Sequence, residues 1–378
     1  MLNRMRAFRY VGMVLCLLGL VGCVAVAKRD VEAAGRASKE LIFPPAPDEP
    51  RFVFERAIRS STDIIPEQES SALKRALTGA GEDAGASLSK PYAIAVHKGK
   101  IYVSDSASGA VHAFDVPNQK YSTVGEAVGD GQIIKPLGLD TDAQGNLYVA
   151  DAVQKLIVVF DAQGRFLRKI GKPDLFDRLS SVTVDAKGER VYVVDIGGIS
   201  SSRHRVMVFD AVKGNHLFDI GQRGAGPGEF NLPRDVAVGK DGRIYVVDGG
   251  NFRVQVFDSS GKYLSSFGQI GKQLGNFARP KEIAVGPDGN LFVADAAFGN
   301  FQIFNAEGQL LMYIGERGTN DAPALYMLPS GIAVDDDGRI YFVDQWFKRI
   351  DVYRPYALKS SEGFLGKRNP SAKSQEKK

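Results

Sequence analysis

The feature that most constrains the fold of this chain is an internal repeat between residues 90 and 354. A short run of alternating apolar residues that ends in aspartate, such as IYVVD at Ile244–Asp248, occurs six times, and successive copies lie 44 to 53 residues apart. The final residues of the six runs are Asp105, Asp151, Asp195, Asp248, Asp295 and Asp344. A repeat of this period indicates one supersecondary unit copied in tandem, because each unit buries its apolar surface against its neighbours.

Each repeat is predicted to contain four short β-strands. In the fourth repeat, period-2 alternation and β-branched or aromatic residues mark the strands DVAVG, RIYVVD, RVQVFD and YLSSFG. Asp-Gly pairs such as Asp241-Gly242 join the first two strands. Two-residue hairpin turns favour such pairs. Six four-stranded sheets of about 45 residues predict an all-β fold, a six-bladed β-propeller. A solenoid is disfavoured because its repeats are usually shorter.

The sixth repeat supplies only three strands, so the ring needs a fourth strand from elsewhere in the chain. Residues 51–58 (RFVFERAI) alternate apolar and polar side chains, with Phe52 and Phe54 on one face. We predict that this N-terminal strand completes the last blade, because the pairing removes an open sheet edge. The predicted propeller domain spans 51–356. It consists of the closing strand at 51–58, a linker at 62–88 and the repeats at 90–354.

The repeat pattern resembles the NHL repeat. The resemblance lies in the proline before the first strand, the IYVVD run in the second and the N-x-R-V-Q-V-F-D pattern of residues 251–258 in the third. Six tandem copies resemble six-bladed NHL propellers. The resemblance implies the fold but leaves the function open, since the family includes RNA binders, protein-interaction scaffolds, lyases and relatives that hydrolyse sugar lactones.

The two ends of the chain differ in composition from the repeats. Three arginines among the first nine residues precede an uncharged, mostly apolar run at 10–27, which is the pattern of a secretory signal. Within it, LVGC resembles the bacterial lipobox, which implies a lipoprotein signal peptide at 1–22 and a lipidated Cys23. A proline-rich tether at 23–50 follows. The basic C-terminal segment, 357–378, is predicted to be a disordered tail.

An uncleaved membrane anchor is the alternative at the N-terminus, because the apolar run is close to the ~18 residues that a spanning helix needs. Both interpretations place the remaining chain outside the cytoplasm. We therefore expect a protein of the bacterial cell envelope, lipid-anchored and extracytoplasmic, that attaches to the membrane through Cys23.

The repeated aspartates are predicted to be structural. A residue present once in every blade is not catalytic in every copy, whereas a turn carboxylate that accepts backbone N–H bonds explains all six positions. Arg253 and Arg349 each stand five residues after one of these aspartates. We predict that they form ion pairs with Asp248 and Asp344.

The histidines do not indicate a metal site. His97, His112, His204 and His216 are assigned to a hairpin turn, a third strand, an insertion and a fourth strand, and none to an innermost strand. A zinc-dependent lyase of the kind that the resemblance implies would need several histidines near the axis. No catalytic residue, resident metal or cofactor is therefore predicted.

Two acidic residues provide the alternative enzyme hypothesis. Asp235 and Glu282 occupy equivalent positions in adjacent repeats, which places both near one mouth of the channel. Two carboxylates there can bind a divalent cation, as in a metal-dependent lyase or hydrolase. They can equally pair with the neighbouring Arg234 and Lys281, and this second interpretation is the one that we favour.

The loops before the first strands and after the second strands emerge on one side of a propeller, called the loop face below. These loops contain basic and aromatic residues, which are enriched at protein-recognition surfaces. The predicted ligand-binding residues are Tyr92, Arg234, Phe252, Arg279, Lys281, Phe298 and Trp346. The alternative is that these rings pack between the blades.

The predicted function is that of a monomeric, non-catalytic binding or scaffold module for an envelope protein, a peptide or a glycan. Nucleic acid is not an expected partner, because the predicted export signal separates the chain from it. The formal net charge of +4 is also too small to indicate nucleic acid by itself.

Overall fold

The structure is a computed structural model that describes residues 40–65 and 85–366. The predicted signal peptide, Cys23, most of the linker and the last residues of the basic tail lie outside these ranges. Among the residues that are described, no helix has the length and apolar character needed to cross a membrane.

Two strands precede the repeats. They are β1 (Ile42–Phe43) and β2 (Phe52–Ile58), and a 3-10 turn at Ser61–Asp63 follows them. Strand β2 pairs antiparallel with the last strand of the final repeat, and β1 pairs with the outer edge of β2.

Within the described ranges, the first five repeats form five four-stranded antiparallel sheets, which we call blades 1 to 5. Blade 1 contains β3 (Pro91–His97), β4 (Lys100–Asp105), β5 (Ala110–Asp115) and β6 (Lys120–Val124). Blade 2 contains β7 (Pro136–Thr141), β8 (Leu147–Asp151), β9 (Leu156–Phe160) and β10 (Phe166–Ile170). Blade 3 contains β11 (Leu179–Val184), β12 (Arg190–Asp195), β13 (Arg205–Asp210) and β14 (His216–Ile220), preceded by a 3-10 turn at Pro173–Leu175.

The remaining strands complete the ring. Blade 4 contains β15 (Pro233–Val238), β16 (Ile244–Asp248), β17 (Arg253–Phe257) and β18 (Tyr263–Phe267), and blade 5 contains β19 (Pro280–Val285), β20 (Leu291–Asp295), β21 (Asn300–Phe304) and β22 (Leu310–Ile314). A short parallel pair follows, β23 (Glu316–Arg317) and β24 (Leu325–Tyr326). Blade 6 contains β25 (Pro329–Val334), β26 (Ile340–Asp344), β27 (Arg349–Pro355) and, from the N-terminus, β2.

The hydrophobic core is divided among the interfaces between blades. In the described part of the chain, one apolar cluster lies between each consecutive pair of blades, including the pair formed by blades 6 and 1. That last cluster joins Ile58 and Ile350 of blade 6 to Ile101 and Phe114 of blade 1. The first strands of the six blades contact one another in sequence around the axis. These contacts confirm the predicted six-bladed propeller.

The closing strand is also confirmed. In the register of β2 against β27, Phe54 lies opposite Tyr353 and Ile58 opposite Ile350. The ring of Phe54 meets that of Tyr353 edge-on, with centroids 5.7 Å apart. Since β1 adds a fifth strand to this sheet, Ile42–Phe43 belongs to the blade, although it falls in the segment predicted to be a tether.

Part of the segment predicted to be a disordered tail is ordered. Helix α1 (Gly363–Gly366) follows β27, and Leu365 is buried in the cluster between blades 6 and 1. The physical reason is the fully buried Arg339, whose Nη2 donates to the Glu362 carbonyl at 2.8 Å. The same guanidinium pairs through Nε with Glu55 on β2 at 2.9 Å. Arg339 therefore joins both ends of the domain to blade 6.

This arrangement predicts that Arg339→Met lowers the free energy of unfolding by about 3 kcal/mol, because Glu55 would stay buried without its main partner. Urea denaturation measures the change. Arg243→Met is the matched control, since Arg243 follows the same Asp-Gly turn in blade 4 but its side chain is 43% exposed and its ion pair is with the exposed Asp241. Equal losses in the two variants would contradict the proposed role of Arg339 in closure.

Candidate functional site

The six repeated aspartates are fully buried at the loop-face ends of the second strands, each with 0% of its surface exposed. Each carboxylate accepts backbone N–H bonds from the loop that enters its own blade. Asp295 accepts from Ala278 at 2.8 Å and from Arg279 at 3.0 Å. Asp195 likewise accepts from Arg178 at 2.8 Å. The buried carboxylates thus fix the loops that contain the basic residues.

Several of these carboxylates also bind the loop that follows the second strand. Asp295 accepts from the Phe298 N–H at 3.2 Å, and Asp344 accepts from Trp346 at 2.7 Å and Phe347 at 3.0 Å. One carboxylate therefore holds a loop of the basic kind and a loop of the aromatic kind side by side. We call this arrangement the carboxylate clamp.

Only one of the two predicted aspartate–arginine pairs forms. Arg253 Nε lies 2.9 Å from Asp248, as predicted. Arg349 instead lies 3.0 Å from Asp351 on its own strand and contacts Asp321. The prediction for Asp344 was wrong because backbone N–H groups on both sides of that carboxylate already occupy its oxygens.

A β-bulge sits at the start of every first strand, and it positions the residues that follow the proline. In blade 4, Pro233 lies opposite Asp248, whereas Asp235 lies opposite Val247, so Arg234 is the extra residue. Bulges change the direction of side chains at such points. Arg234 is accordingly exposed while Asp235 is buried.

Basic residues from three adjacent blades gather where these bulges meet. Arg234 lies close enough to Tyr92, Arg178 and Arg279 for their charges to act on it. Partial burial lowers the pKa of Arg234, Tyr92 opposes this shift, and Arg178 and Arg279 add to it. Burial, then Arg279, lowers the pKa of Lys281 to about 8. We call the set Tyr92, Arg178, Arg234, Arg279 and Lys281 the channel mouth. Among the described residues, no carboxylate forms an ion pair with any of its four cations.

The acidic pair lies in the channel wall and does not form the predicted ion pairs. Asp235 accepts from Ser181 Oγ at 2.5 Å and from the Ile283 N–H at 2.8 Å, and burial raises its pKa to about 6. Glu282 accepts from the Ile332 N–H at 3.2 Å. Burial, and then the charge of Asp235, raise the pKa of Glu282 well above its usual value. The predicted pairing with Arg234 and Lys281 was therefore wrong, because these carboxyls bond to the backbone of the next blade.

The channel itself is a narrow cavity of about 230 Å³ lined by the first strands. Asp140 of blade 2 repeats the same bonding pattern there, accepting from Thr183 Oγ1 at 2.5 Å and from the Val184 N–H at 3.0 Å. Both oxygens of Asp235 and one oxygen of Glu282 accept hydrogen bonds from the neighbouring blades. Across the described residues, no three metal-ligating side chains are grouped.

The predicted aromatic residues divide into exposed and packed ones. Trp346 is 62% exposed, whereas Tyr92 and Phe298 are half-buried. Phe252 packs against the core cluster between blades 4 and 5, and Tyr92 packs against the cluster between blades 1 and 2, so for these two rings the alternative of packing between blades is correct. The backbone of Phe252 is left-handed, with φ of 56°, which the tight turn after the second strand requires.

The sequence prediction missed Arg178 and a set of exposed aliphatic residues on the loop face, which includes Ile134, Val153, Ile199 and Ile270. Arg178 is aligned with Arg279, directly before the first strand. Blade 3 lacks the proline that marks this position elsewhere, because Leu179 takes its place opposite Asp195. Arg178 stands 17 residues before Asp195 whereas Arg279 stands 16 before Asp295, so counting back from the aspartate misses Arg178 by one position.

The insertion of blade 3 lies beside the channel mouth and is held by a buried histidine. His204 is 1% exposed, accepts from the Leu232 N–H through Nδ1 at 3.2 Å and meets the Gly198 carbonyl through Nε2 at 3.2 Å. His112 bonds to Tyr121 within blade 1 at 2.7 Å. His97 ends β3, so one histidine does lie on an innermost strand, at the end away from the loop face.

The class of protein defined by this architecture is the six-bladed β-propeller. The NHL repeat model matches residues 230–257, which include the Asp248–Arg253 pair. NHL repeat-containing protein 3 of Mus musculus is 38% identical over 86 residues, which are 23% of this chain and 24% of that protein. The match therefore spans about a quarter of that relative. The chain is a β-propeller that contains an NHL repeat.

Solved structures share the same fold at low sequence identity. A streptogramin B lyase superposes with a TM-score of 0.52 at 14% identity, covering 71% of this chain and 94% of that one. A gluconolactonase of Xanthomonas campestris gives a TM-score of 0.54 at 15% identity, covering 71% and 86%. At these identities the similarity establishes the propeller alone.

The carboxylate clamp leads to a stability prediction. Asp295→Asn replaces one acceptor oxygen by a donor that faces N–H groups, so we expect the free energy of unfolding to fall by about 2 kcal/mol. Hydrogen exchange at the Arg279 and Phe298 amides should also become faster. Asp288→Asn, in an exposed hairpin turn, is the control and should change stability by less than about 0.5 kcal/mol. Unchanged exchange at both amides would contradict the clamp.

Proposed function

We propose that this protein is a membrane-tethered, extracytoplasmic propeller that acts as a non-catalytic binding module for a protein, a peptide or a glycan. The observation that supports this proposal is the carboxylate clamp, which holds basic and aromatic loops together on one face. The ligand contacts are assigned to the loop face, with Trp346 and the channel mouth at its centre.

The clamp favours binding because it fixes the loops before a ligand arrives. Association loses free energy when loops must be ordered, and loops held by buried hydrogen bonds lose less. Arg279 and Phe298 share one buried carboxylate, so their backbones are fixed relative to each other. Trp346 adds a large exposed ring, which is the type of side chain that dominates binding energy at interfaces.

An enzymatic role, as a metal-dependent lyase or hydrolase, is the alternative that the lyase and gluconolactonase of the same fold suggest. The residues for it in this chain would be Asp235 and Glu282. Their hydrogen bonds to Ile283 and Ile332 give them a structural role in the channel wall. The geometry therefore favours the binding module.

The membrane attachment is proposed from the sequence around Cys23. The LVGC run follows a basic and then an apolar segment, as in bacterial lipoproteins. About 18 residues separate Cys23 from β1.

Removal of the loop-face contacts should reduce partner binding. We expect Trp346→Ala combined with Arg279→Ala to lower the recovery of partners at least about tenfold in affinity capture from an envelope extract, because an exposed anchor and a charged contact are both lost. Leu264→Ala with Lys262→Ala removes an exposed apolar and a basic side chain elsewhere and should leave capture unchanged. Full recovery of partners by the Trp346→Ala/Arg279→Ala variant would contradict this proposal.

Lipidation can be tested on the mature protein. We expect mass spectrometry to show a chain that begins at Cys23 with acyl groups attached, and Cys23→Ala to prevent this processing. Several acyl chains anchor a protein firmly, since each buried CH₂ contributes about 0.8 kcal/mol. An intact N-terminus on the wild-type chain would instead support the uncleaved anchor.

A further inference from the structure

We propose that the channel mouth is a carboxylate-binding site that takes an acidic peptide segment, with Arg178, Arg234, Arg279 and Lys281 as the contacts. This inference rests on the proposed binding function and names the chemistry of its ligand. It is carried by four cations from three adjacent blades that converge on one point without carboxylate partners.

The convergence follows from contacts between the first strands. Asp235 of blade 4 binds Ser181 of blade 3 through one oxygen and the Ile283 N–H of blade 5 through the other. These two hydrogen bonds therefore join β11, β15 and β19 directly below the channel mouth. Arg178, Arg234 and Lys281 each lie within three residues of one of these contacts, on the side of the loop face.

Hydrogen bonds fix the backbone at the positions that carry the cations. The backbone N–H groups of Arg178 and Arg279 donate to the clamps of their own blades. Arg234 occupies the bulge of blade 4, where its carbonyl accepts from Ser180 Oγ at 3.3 Å. The backbones of these arginines are thus fixed, while their guanidinium groups are exposed and can pair bidentately with a carboxylate.

The positive charge at this mouth is only partly compensated by the protein. Asp235 and Glu282 lie in the wall, where their oxygens accept hydrogen bonds, and Asp195, Asp295 and Asp344 are buried in the clamps. Burial raises the pKa of Asp235 to about 6 and that of Glu282 well above its usual value, and among the described residues no carboxylate forms an ion pair with the four cations. Cations that repel one another without a partner lower the stability of the folded state, and a bound anion would remove that repulsion.

Tyr92 adds a neutral hydrogen-bond donor to the site. Burial, and then the charge of Glu282, raise the pKa of Tyr92 to about 12, so its hydroxyl stays protonated at neutral pH. A protonated phenol donates to a carboxylate without adding charge.

The surroundings of the mouth favour a peptide over a nucleic acid or a sugar polymer. Several exposed aliphatic side chains stand in the loops of the loop face, and Trp346 is the one largely exposed ring among the predicted contacts. Nucleobases bind single-strand sites by stacking on successive aromatic rings, which this set does not supply. Aliphatic side chains of a peptide match the exposed aliphatic residues around the cations.

The test uses fluorescence anisotropy with the purified full chain and a labelled decapeptide of alternating Glu and Leu. The matched probe has Gln in place of every Glu. We expect the acidic peptide to bind at least about tenfold more tightly than the Gln peptide. Its affinity should fall between about 50 and about 300 mM salt, because exposed charges are screened.

Variants locate the site. Arg234→Gln with Arg279→Gln should weaken binding of the acidic peptide at least about tenfold, and Arg178→Gln alone should weaken it several-fold. Lys213→Gln with Lys262→Gln removes the same charge from exposed loops on the opposite face and should change affinity less than about twofold. The melting temperature of the Arg234/Arg279 variant should stay constant or rise, because like charges have been removed and no ion pair broken.

The pH dependence provides a second readout. Lys281 is faced by Arg279, Glu282, Arg234 and Asp344, in that order of influence after burial. Its lowered pKa of about 8 means that the lysine loses its charge as the pH rises through that value. Affinity should therefore be full between about pH 6 and about pH 7, where the Glu side chains of the peptide are ionised, and fall as the pH rises from about 7 to about 9. Lys281→Arg should bind the peptide and abolish this fall.

Several outcomes would overturn the inference. Equal binding of the Glu and Gln peptides, or tighter binding of single-stranded RNA or of a polyuronate than of the acidic peptide, would each do so. If the acidic peptide fails but Trp346 and Arg279 still govern partner capture, only this inference falls and the binding module stands. Loss of both results would remove the proposed function as well.

Discussion

The interaction on which the rest of the structure depends is the buried carboxylate at the end of each second strand. A charged oxygen pair without water must accept hydrogen bonds, and the N–H groups available to it belong to the loops on the loop face. In blade 5, Asp295 accepts from four residues on two loops. One side chain per blade thereby fixes a surface that would otherwise consist of independent loops.

Ring closure makes this local arrangement cooperative. Each blade buries its two faces only against its neighbours, so the apolar clusters are continuous only if blade 6 meets blade 1. The strand from the N-terminus closes blade 6, and the Arg339 guanidinium ties that strand to the segment after the last strand. The loops of the channel mouth keep their spacing because the ring beneath them has no free edge.

The sequence was sufficient for the fold because period, strand alternation and turn residues repeat with the blades. The sequence was insufficient where a side chain had more than one possible hydrogen-bond or ion-pair partner. Arg349 follows Asp344 at the expected spacing but pairs with Asp351, since the backbone fills the Asp344 oxygens first. Asp235 and Glu282 looked like channel ligands, yet they bind the next blade, a contact between residues about 50 positions apart. Arg178 was not predicted because blade 3 has Leu179 where the first strands of the other blades begin with proline.

The channel mouth shows how the repeated and unrepeated residues divide their roles. The aspartate is identical in all six blades and accepts backbone N–H bonds in each of them, so it can hold loops whose side chains differ. The cations at the mouth differ from blade to blade and lack partners, which is unfavourable for the fold alone. The wall contacts of Asp140, Asp235 and Glu282 oppose that repulsion by joining neighbouring strands. The fold therefore holds several cations close together above a firmly bonded wall. This arrangement is favourable when an anionic ligand binds there and neutralises their charge.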